Sequence, residues 1–416
     1  MKIFIITLLL ALLIEPCFAQ SKGTLNTAPF QITLISPLGT NGTNSINTVN
    51  KVSVNILGGY HAGLEGAEFG GIANMNRDYM SGFQFAGISN YTGGTTKGAQ
   101  FAGISNVNRG NVYAFQFAGV TNVNFGESSA FQFAGVTNVN MKGSQIFQGA
   151  GVLNYTMGVS NVIQAAGVAN YAEELTGAQL GGVSNFALKN VQGAQIAGVI
   201  NAGTSINGAQ IAGVVNASKY VRGAQIAGVV NVAKNVDGMQ IGVINIADTV
   251  RNGIPIGVLS LVRDGFHEFE IGFSEGLNTY ASFKIGVNQF YNIFSIGTQF
   301  LNHNFRWGVG YGIGTHLANT ESYKLNLEAI SYQINEGTKW TNAYNGLQQI
   351  KLTYAGVINN HTDVFVGPTF NLMVSEHINS DGTIGSDFPP YQFVDHTNGN
   401  TNLKFWVGIN AGLRIH

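Results

Sequence analysis

Charge is scarce in this chain. Of 416 residues only 10% are Asp, Glu, Lys or Arg, and 20 basic residues nearly cancel 21 acidic ones. Such a balance lacks the clustered basic footprint that nucleic-acid binding needs. It is equally unlike the charged, apolar-poor profile of a disordered chain. Cysteine is limited to Cys17, which lies in the opening stretch MKIFIITLLLALLIEPCFAQ. There Lys2 precedes an apolar run from Ile3 to Ile14, shorter than the roughly 20 residues of a spanning helix. This is the layout of a secretory signal peptide over residues 1–20, cut near Ala19 and Gln20. Glu15 and Pro16 stand where a lipoprotein signal needs small residues, which disfavours lipidation at Cys17. The mature protein is thus expected to be exported without cysteine, and so without disulfides. Proline is also rare, at seven residues, whereas glycine reaches 56 and aromatics 11%. Low charge with abundant Gly and aromatics suits β structure that stacks on itself or faces lipid.

What the chain has in quantity is repetition. Gln recurs at 84, 100, 116, 132, 148, 164, 179, 195, 210, 225 and 240, with Glu68 in the slot before and Pro255 in the slot after. Asn recurs at 74, 90, 106, 122, 138, 154, 170, 185, 201, 216, 231 and 245, and Ser260 closes that series. The period is 16 up to residue 164 and 15 or 16 beyond it, over 13 units. A fixed short period of this kind marks a stacked repeat architecture. Each unit holds β-branched or aromatic residues with Gly and Ala, then a polar connector with one apolar residue two before its Gly, such as Leu175, Val191, Val221 or Val236. So much Gly and β-branching excludes helix and favours short strands with turns.

Stacking the units in register makes a β-solenoid, in which equivalent residues lie about 4.8 Å apart. Amides at that spacing can bond to the copies above and below as ladders. A break leaves a buried amide unpaired at roughly 1–3 kcal/mol. Thirteen turns predict a rod about 60 Å long, and Pro255, which cannot donate to a next strand, reads as an end stop. All of the 16 charged residues between Ala67 and Ser260 except Glu68 sit in connectors. The Gln-to-Asn segments are therefore expected to be shielded and the connectors to meet water. A rival geometry makes each unit one membrane strand of about 9–11 residues plus a turn. Against it, Gln225, Ala227, Val229 and Asn231 share one parity while Ala224, Ile226, Gly228 and Val230 share the other, so neither row is cleanly apolar.

After residue 265 the pattern changes. Leu403, Phe405, Val407, Ile409, Ala411, Leu413 and Ile415 alternate with Asn402, Lys404, Trp406, Gly408, Asn410, Gly412 and Arg414. Long strands with one apolar face are the mark of an outer-membrane barrel. Seven more strands are predicted near 266–275, 280–289, 292–300, 304–315, 322–333, 347–358 and 363–374. In RWGVGYGIG one face carries Trp307, Val309, Tyr311 and Ile313 and the other Gly308, Gly310, Gly312 and Gly314. A soluble barrel or sandwich is the alternative. Two N-terminal strands, 29–39 and 51–59, would raise the count from eight to ten. The fold class is thus all-β. Its domains are 21–62 with the N-terminal strands, 63–264 as a tandem-repeat solenoid, and 265–416 as an antiparallel barrel-like region. The long connections at 38–50, 334–346 and 375–401 then fall on one side and the short turns near 290–291, 316–321 and 359–362 on the other. Long loops outside and short turns inside would place the array on the periplasmic side.

The repeats GAQIAGVVN and FQFAGVTN, the entry NILGGYHAGLEGAEFGGIAN and the exit IPIGVLSLVRDGFHEFEIGFS resemble a family of bacterial surface-repeat proteins. The resemblance covers residues 29 to about 275 well and the rest loosely. It implies a tandem array joined to an outer-membrane-like β region, and surface exposure, in conflict with the strand parity. It brings no activity and no site residues.

No catalytic, cofactor or metal site is legible. His61, His267, His303, His316, His361, His377, His396 and His416 are scattered without metal-ligand spacing and read as single surface residues. GGTTKG at 93–98 lacks the phosphate-loop pattern, and GVGYGIG alternates along a strand instead of opening a helix. Glu268, Glu270 and Asp363 are carboxylates of the kind barrel lumens carry routinely. The expectation is a non-enzymatic protein of the Gram-negative outer membrane, without cofactor, acting as a scaffold or contact surface. Lipid is its expected partner, with a protein or glycan along the solenoid. One alternative is a transport component whose barrel conducts while the array docks a periplasmic partner. Another is a secreted glycan-binding adhesin.

Overall fold

The computed structural model describes residues 24–300, 305–359, 361–379, 382–386 and 391–416; the expected signal peptide and His303 lie outside them. The chain divides into two compact units, one ending at Lys219 and the other running from Tyr220 to His416. Both are built from strands, and the repeats form a β-solenoid of about 13 turns.

In the first unit each turn pairs in parallel with the next. Gln164 lies opposite Gln179, Gln179 opposite Gln195 and Gln195 opposite Gln210. Membrane strands of a bacterial barrel run antiparallel, so parallel pairing at the repeat spacing selects the solenoid over the rival geometry. One turn illustrates the anatomy. Ala169–Gly181 is a bent strand with a bulge between Ala172 and Leu175. Gly182 and Val183 make the corner before Ser184–Ala197 begins. Asn170, Ala172, Leu175 and Gln179 point inward. Two Gly columns make the bends. Gly193 has φ +137°, and a Cβ there would lie 1.9 Å from the Gly177 carbonyl oxygen of the turn before. At the corner a Cβ on Gly198 would meet the Gly182 oxygen at 2.2 Å. No side chain fits at either place, which accounts for the Gly content of each repeat.

The N-terminal strands do not complete a barrel. Asn26–Ile35 pairs in parallel with Thr48–Gly70, and both belong to the solenoid sheet. The physical reason lies in Thr48–Gly70 itself, which carries Asn55 and Glu68 into the Asn and Gln columns. Between the two strands sits a 3-10 turn, Gly42–Asn47.

In the second unit the last turns run to Leu259–Val262, which pairs only with Ile244–Ala247. Pro255 lies opposite Gln240 on the preceding strand, and no further strand continues its column. A separate antiparallel sheet of nine strands follows. Its strands are Phe266–Ser274, Thr279–Val287, Phe290–Gln299, Arg306–Asn319, Tyr323–Glu336, Asn345–Asn359, Thr362–Ser375, Val394–Asn398 and Thr401–Ile415. Eight match the sequence expectation. Val394–Asn398, a short partner for the start of the last strand, was not anticipated. Phe266–Ser274 pairs with Thr279–Val287 along one edge and with Thr401–Ile415 along the other. The alternation is used inside out. Glu268, Glu270, Lys284, Glu328, Lys351 and Arg414 are buried, while Phe269, Ile271, Phe283, Ile296, Ile350 and Leu413 are exposed. Glycines of the fourth strand face inward, where a Cβ on Gly310 would strike Tyr332 and one on Gly314 would strike Tyr291. Their absence of side chains makes room for Tyr291, Ile330, Tyr332 and Ile334 in the apolar cluster on the buried face.

The final turn of the solenoid rests on the outward side of this sheet. Asn292 accepts a hydrogen bond from the Ser260 backbone N–H at 2.8 Å and donates to the Gly257 carbonyl at 2.9 Å. Its amide also reaches the Tyr311 hydroxyl at 2.9 Å.

Candidate functional site

The repeated Gln and Asn are interior. Every column member from Asn74 to Asn245 and from Gln84 to Gln240 is fully buried. Within each unit the Gln amides donate N–H to the oxygen of the Gln one turn before, as Gln195 to Gln179 at 2.8 Å, Gln210 to Gln195 at 2.7 Å and Gln240 to Gln225 at 2.8 Å. The Asn amides donate the other way, to the Asn one turn ahead, as Asn185 to Asn201 and Asn231 to Asn245, both at 2.9 Å. Asn185 also donates to the Ile196 carbonyl at 2.7 Å, tying its turn to the next strand. The two ladders therefore carry amide dipoles of opposite sense, and their fields oppose each other inside the stack. A row of aligned amides would otherwise build up charge at its ends, as helix peptides do.

The Gln ladder ends on a carboxylate. Its N–H groups point toward the N-terminus, and the slot before Gln84 is Glu68, an acceptor with no proton to place. Glu68 accepts from Gln84 at 2.9 Å, Asn76 at 2.7 Å and Asn55 at 2.8 Å. His61 Nε2 lies 3.1 Å from the same carboxylate, and its Nδ1 is 2.9 Å from the Ser45 hydroxyl. Burial opposes the charge on Glu68, but His61 and the amides outweigh it and hold the carboxyl below its ordinary pKa. Ser45, His61 and Glu68 form a chain with the order of a hydrolytic triad. Its geometry is that of an end cap. The Ser45 hydroxyl is 2.7 Å from the Tyr60 carbonyl, Ser45 is 3% exposed, and His61 and Glu68 are fully buried. His61 was expected on the surface; the unpaired end of the ladder draws it inside.

The expectation that the Gln-to-Asn segments are shielded is half corrected. The residues flanking each Gln, and the one after the corner Gly, face outward. Phe83, Phe85, Phe115, Leu180, Ile196 and Ile211 are exposed, as are Ile88, Val152, Val183 and Val199 at the corners. In the first unit Phe69, Phe85, Phe101, Phe117 and Phe133 stack in a column with ring centres 4.7–5.5 Å apart. Beside them Gly71, Gly87, Gly103, Gly119 and Gly135 leave an apolar groove of about 800 Å³. The solenoid thus buries its amide ladders beside a column of small and aliphatic side chains such as Ala172, Leu175 and Val191, and exposes a further apolar face. Its connector charges lie from seven to three residues before each Gln, and none lies on that face.

The buried face of the nine-stranded sheet holds a charge network. Lys284 is 2.9 Å from Glu268, 2.5 Å from Glu270 and 2.6 Å from Glu328. Arg414 is 2.7 Å from Glu270 and donates to the Thr353 hydroxyl at 2.8 Å. Glu268, Asp363 and His416 present ligand atoms within 4.8 Å of one another, the spacing of a metal site. Lys324 already supplies the counter-charge, with its ammonium 2.8 Å from Asp363 and 2.8 Å from His416. A cation would have to displace it. His316 stacks edge-on against Phe266, with ring centres 4.8 Å apart. His361 and His396 are exposed and His267 and His377 half-buried, without any such cluster.

No family model matches the chain, and neither does any curated protein or solved structure.

Proposed function

We propose that this is a non-enzymatic outer-membrane protein, in which an eight-stranded barrel anchors the solenoid as a scaffold and contact surface. The observation that carries the reading is the reversed polarity of the nine-stranded sheet. A water-soluble barrel or sandwich buries apolar side chains and exposes charge. Here charge is inside, and Phe, Ile, Leu and Val face out. Burying six ionisable side chains while leaving the apolar row outside is unfavourable in water, and it matches a lipid-facing wall. Pairing of the first strand with the last supports closure of the sheet. A signal peptide over residues 1–20 would deliver the chain to that membrane.

Connection lengths support the orientation. The links at 275–278, 300–305, 337–344 and 376–400 leave one edge of the sheet. The links at 288–289, 320–322 and 360–361 leave the other, as do the chain from Val262 and His416. The N-terminal strands lie in the solenoid, and taking both from the count leaves the parity unchanged. Long loops outside and short turns inside support a periplasmic array, against the surface exposure that the family resemblance implies. Protease added to intact cells should spare the array and cleave it once the outer membrane is permeabilised. Cleavage in intact cells overturns the orientation. The charge network also weighs against the conducting alternative, because Lys284, Arg414 and their carboxylates are buried and paired with one another instead of lining exposed surface.

A further inference from the structure

We propose that the apolar face of the solenoid is a lipid-contact surface. The proposal rests on the membrane reading of the nine-stranded sheet and extends it to the repeats.

Three observations carry it. The face is apolar and free of charge, and charge is confined to connectors elsewhere on each turn. Excluding Glu68, those connectors hold nine basic and six acidic residues between Ala67 and Ser260. An apolar face beside a basic-leaning edge is the composition of an element lying in a membrane interface.

The second observation is continuity within the second unit. The columns that contain Ile226, Ile256, Val229 and Val258 are exposed and end at the turn Gly257–Ser260. That turn is bound by Asn292, on the outward side of the sheet beside Tyr311. The apolar surface of the last turns therefore adjoins the wall that carries Phe294 and Ile296, the surface assigned to lipid.

The third is the sameness of the face. At the corner an Ile or Val recurs at every turn, about 4.8 Å apart. The column after each Gln is Phe over one run of turns and Leu or Ile over another, with Gly149 and Ala165 between them. A rigid partner, including a second copy of this chain, could slip by one turn and find nearly the same contacts, so the face specifies no register. A fluid apolar phase needs none. The groove beside the Phe column, with Gly along its floor, suits extended acyl chains.

The test uses full-length protein with Cys17→Ala, refolded into phosphatidylethanolamine–phosphatidylglycerol vesicles. Single cysteines are labelled with a polarity-sensitive fluorophore at Val199→Cys and Val243→Cys on the apolar face, Lys189→Cys in a connector and Ile350→Cys on the sheet. Brominated acyl chains should quench most of the emission at 199, 243 and 350 and spare 189. Quenching at 350 but not at 199 or 243 overturns this inference and leaves the membrane anchor standing. No quenching at 350 overturns the anchor itself. Blue-shifted but unquenched labels at 199 and 243, with a doubled mass in detergent, assign the face to a second copy and contradict the proposal.

Discussion

At the scale of single residues the solenoid turns a costly choice, amides buried in every turn, into a satisfied one. A Gln inside the column serves two neighbours. Gln195 donates to Gln179 and accepts from Gln210. Gln240, with Pro255 following, donates to Gln225 while its own oxygen has no partner. Gln195→Leu therefore orphans two buried groups and Gln240→Leu one, at roughly 1–3 kcal/mol each. Urea unfolding should find the mid-column variant less stable than the end variant. Equal small losses would falsify the ladder as a source of stability. The cap gives a pH signature. Because Glu68 is held below its ordinary pKa, its stabilisation is fully present above the unfolded carboxyl pKa and is lost as pH falls through the lower folded value. Hydrogen-exchange protection at the first turns, taken relative to the intrinsic exchange rate at each pH, should fall in acid in the native chain and change less in Glu68→Gln. An identical acid response in both would remove the role assigned to this carboxylate. The columns were legible because each break in them is penalised, so Gln and Asn recur almost without exception. The cap was not, since Gln31, Ser45, Ser53 and His61 come from segments that no periodicity links.

At the scale of the element, the corner explains what sequence parity hid. Gln225 and Ala227 point inward, Gly228 and Val229 turn the corner exposed, and Asn231 points inward again. Counting alternate residues across Gly228 therefore mixes two faces, and an apolar outer row looks like no row at all. The sheet strands have no such corner. Their alternation over Leu403–Ile415 was plain, and only the sign of the inner face needed the structure. Ile350 tests that sign, being half exposed near the middle of Asn345–Asn359. On a lipid-facing wall Ile350→Lys should cost about 2–4 kcal/mol in bilayer refolding. On a wet surface it should stay within about 0.5 kcal/mol. A loss at the lower figure would place this wall in water.

At the scale of the whole molecule, both parts bury polar groups beside an apolar core and expose apolar rows. The repeats keep amide ladders within and aliphatic and aromatic side chains on one face; the sheet keeps ion pairs within and apolar rows without. Hydrogen-bond columns satisfy the buried amides of the first, and mutual ion pairing offsets part of the cost of burying charge in the second. In each case what lies outside is the question, and lipid is the answer proposed for the sheet. The most direct measurement is fractionation of cells expressing the native chain, followed by gels run with and without boiling. Recovery in the detergent-soluble outer membrane, with a compact unboiled band that shifts on heating, is the predicted result. Recovery as a free periplasmic or secreted protein would contradict it.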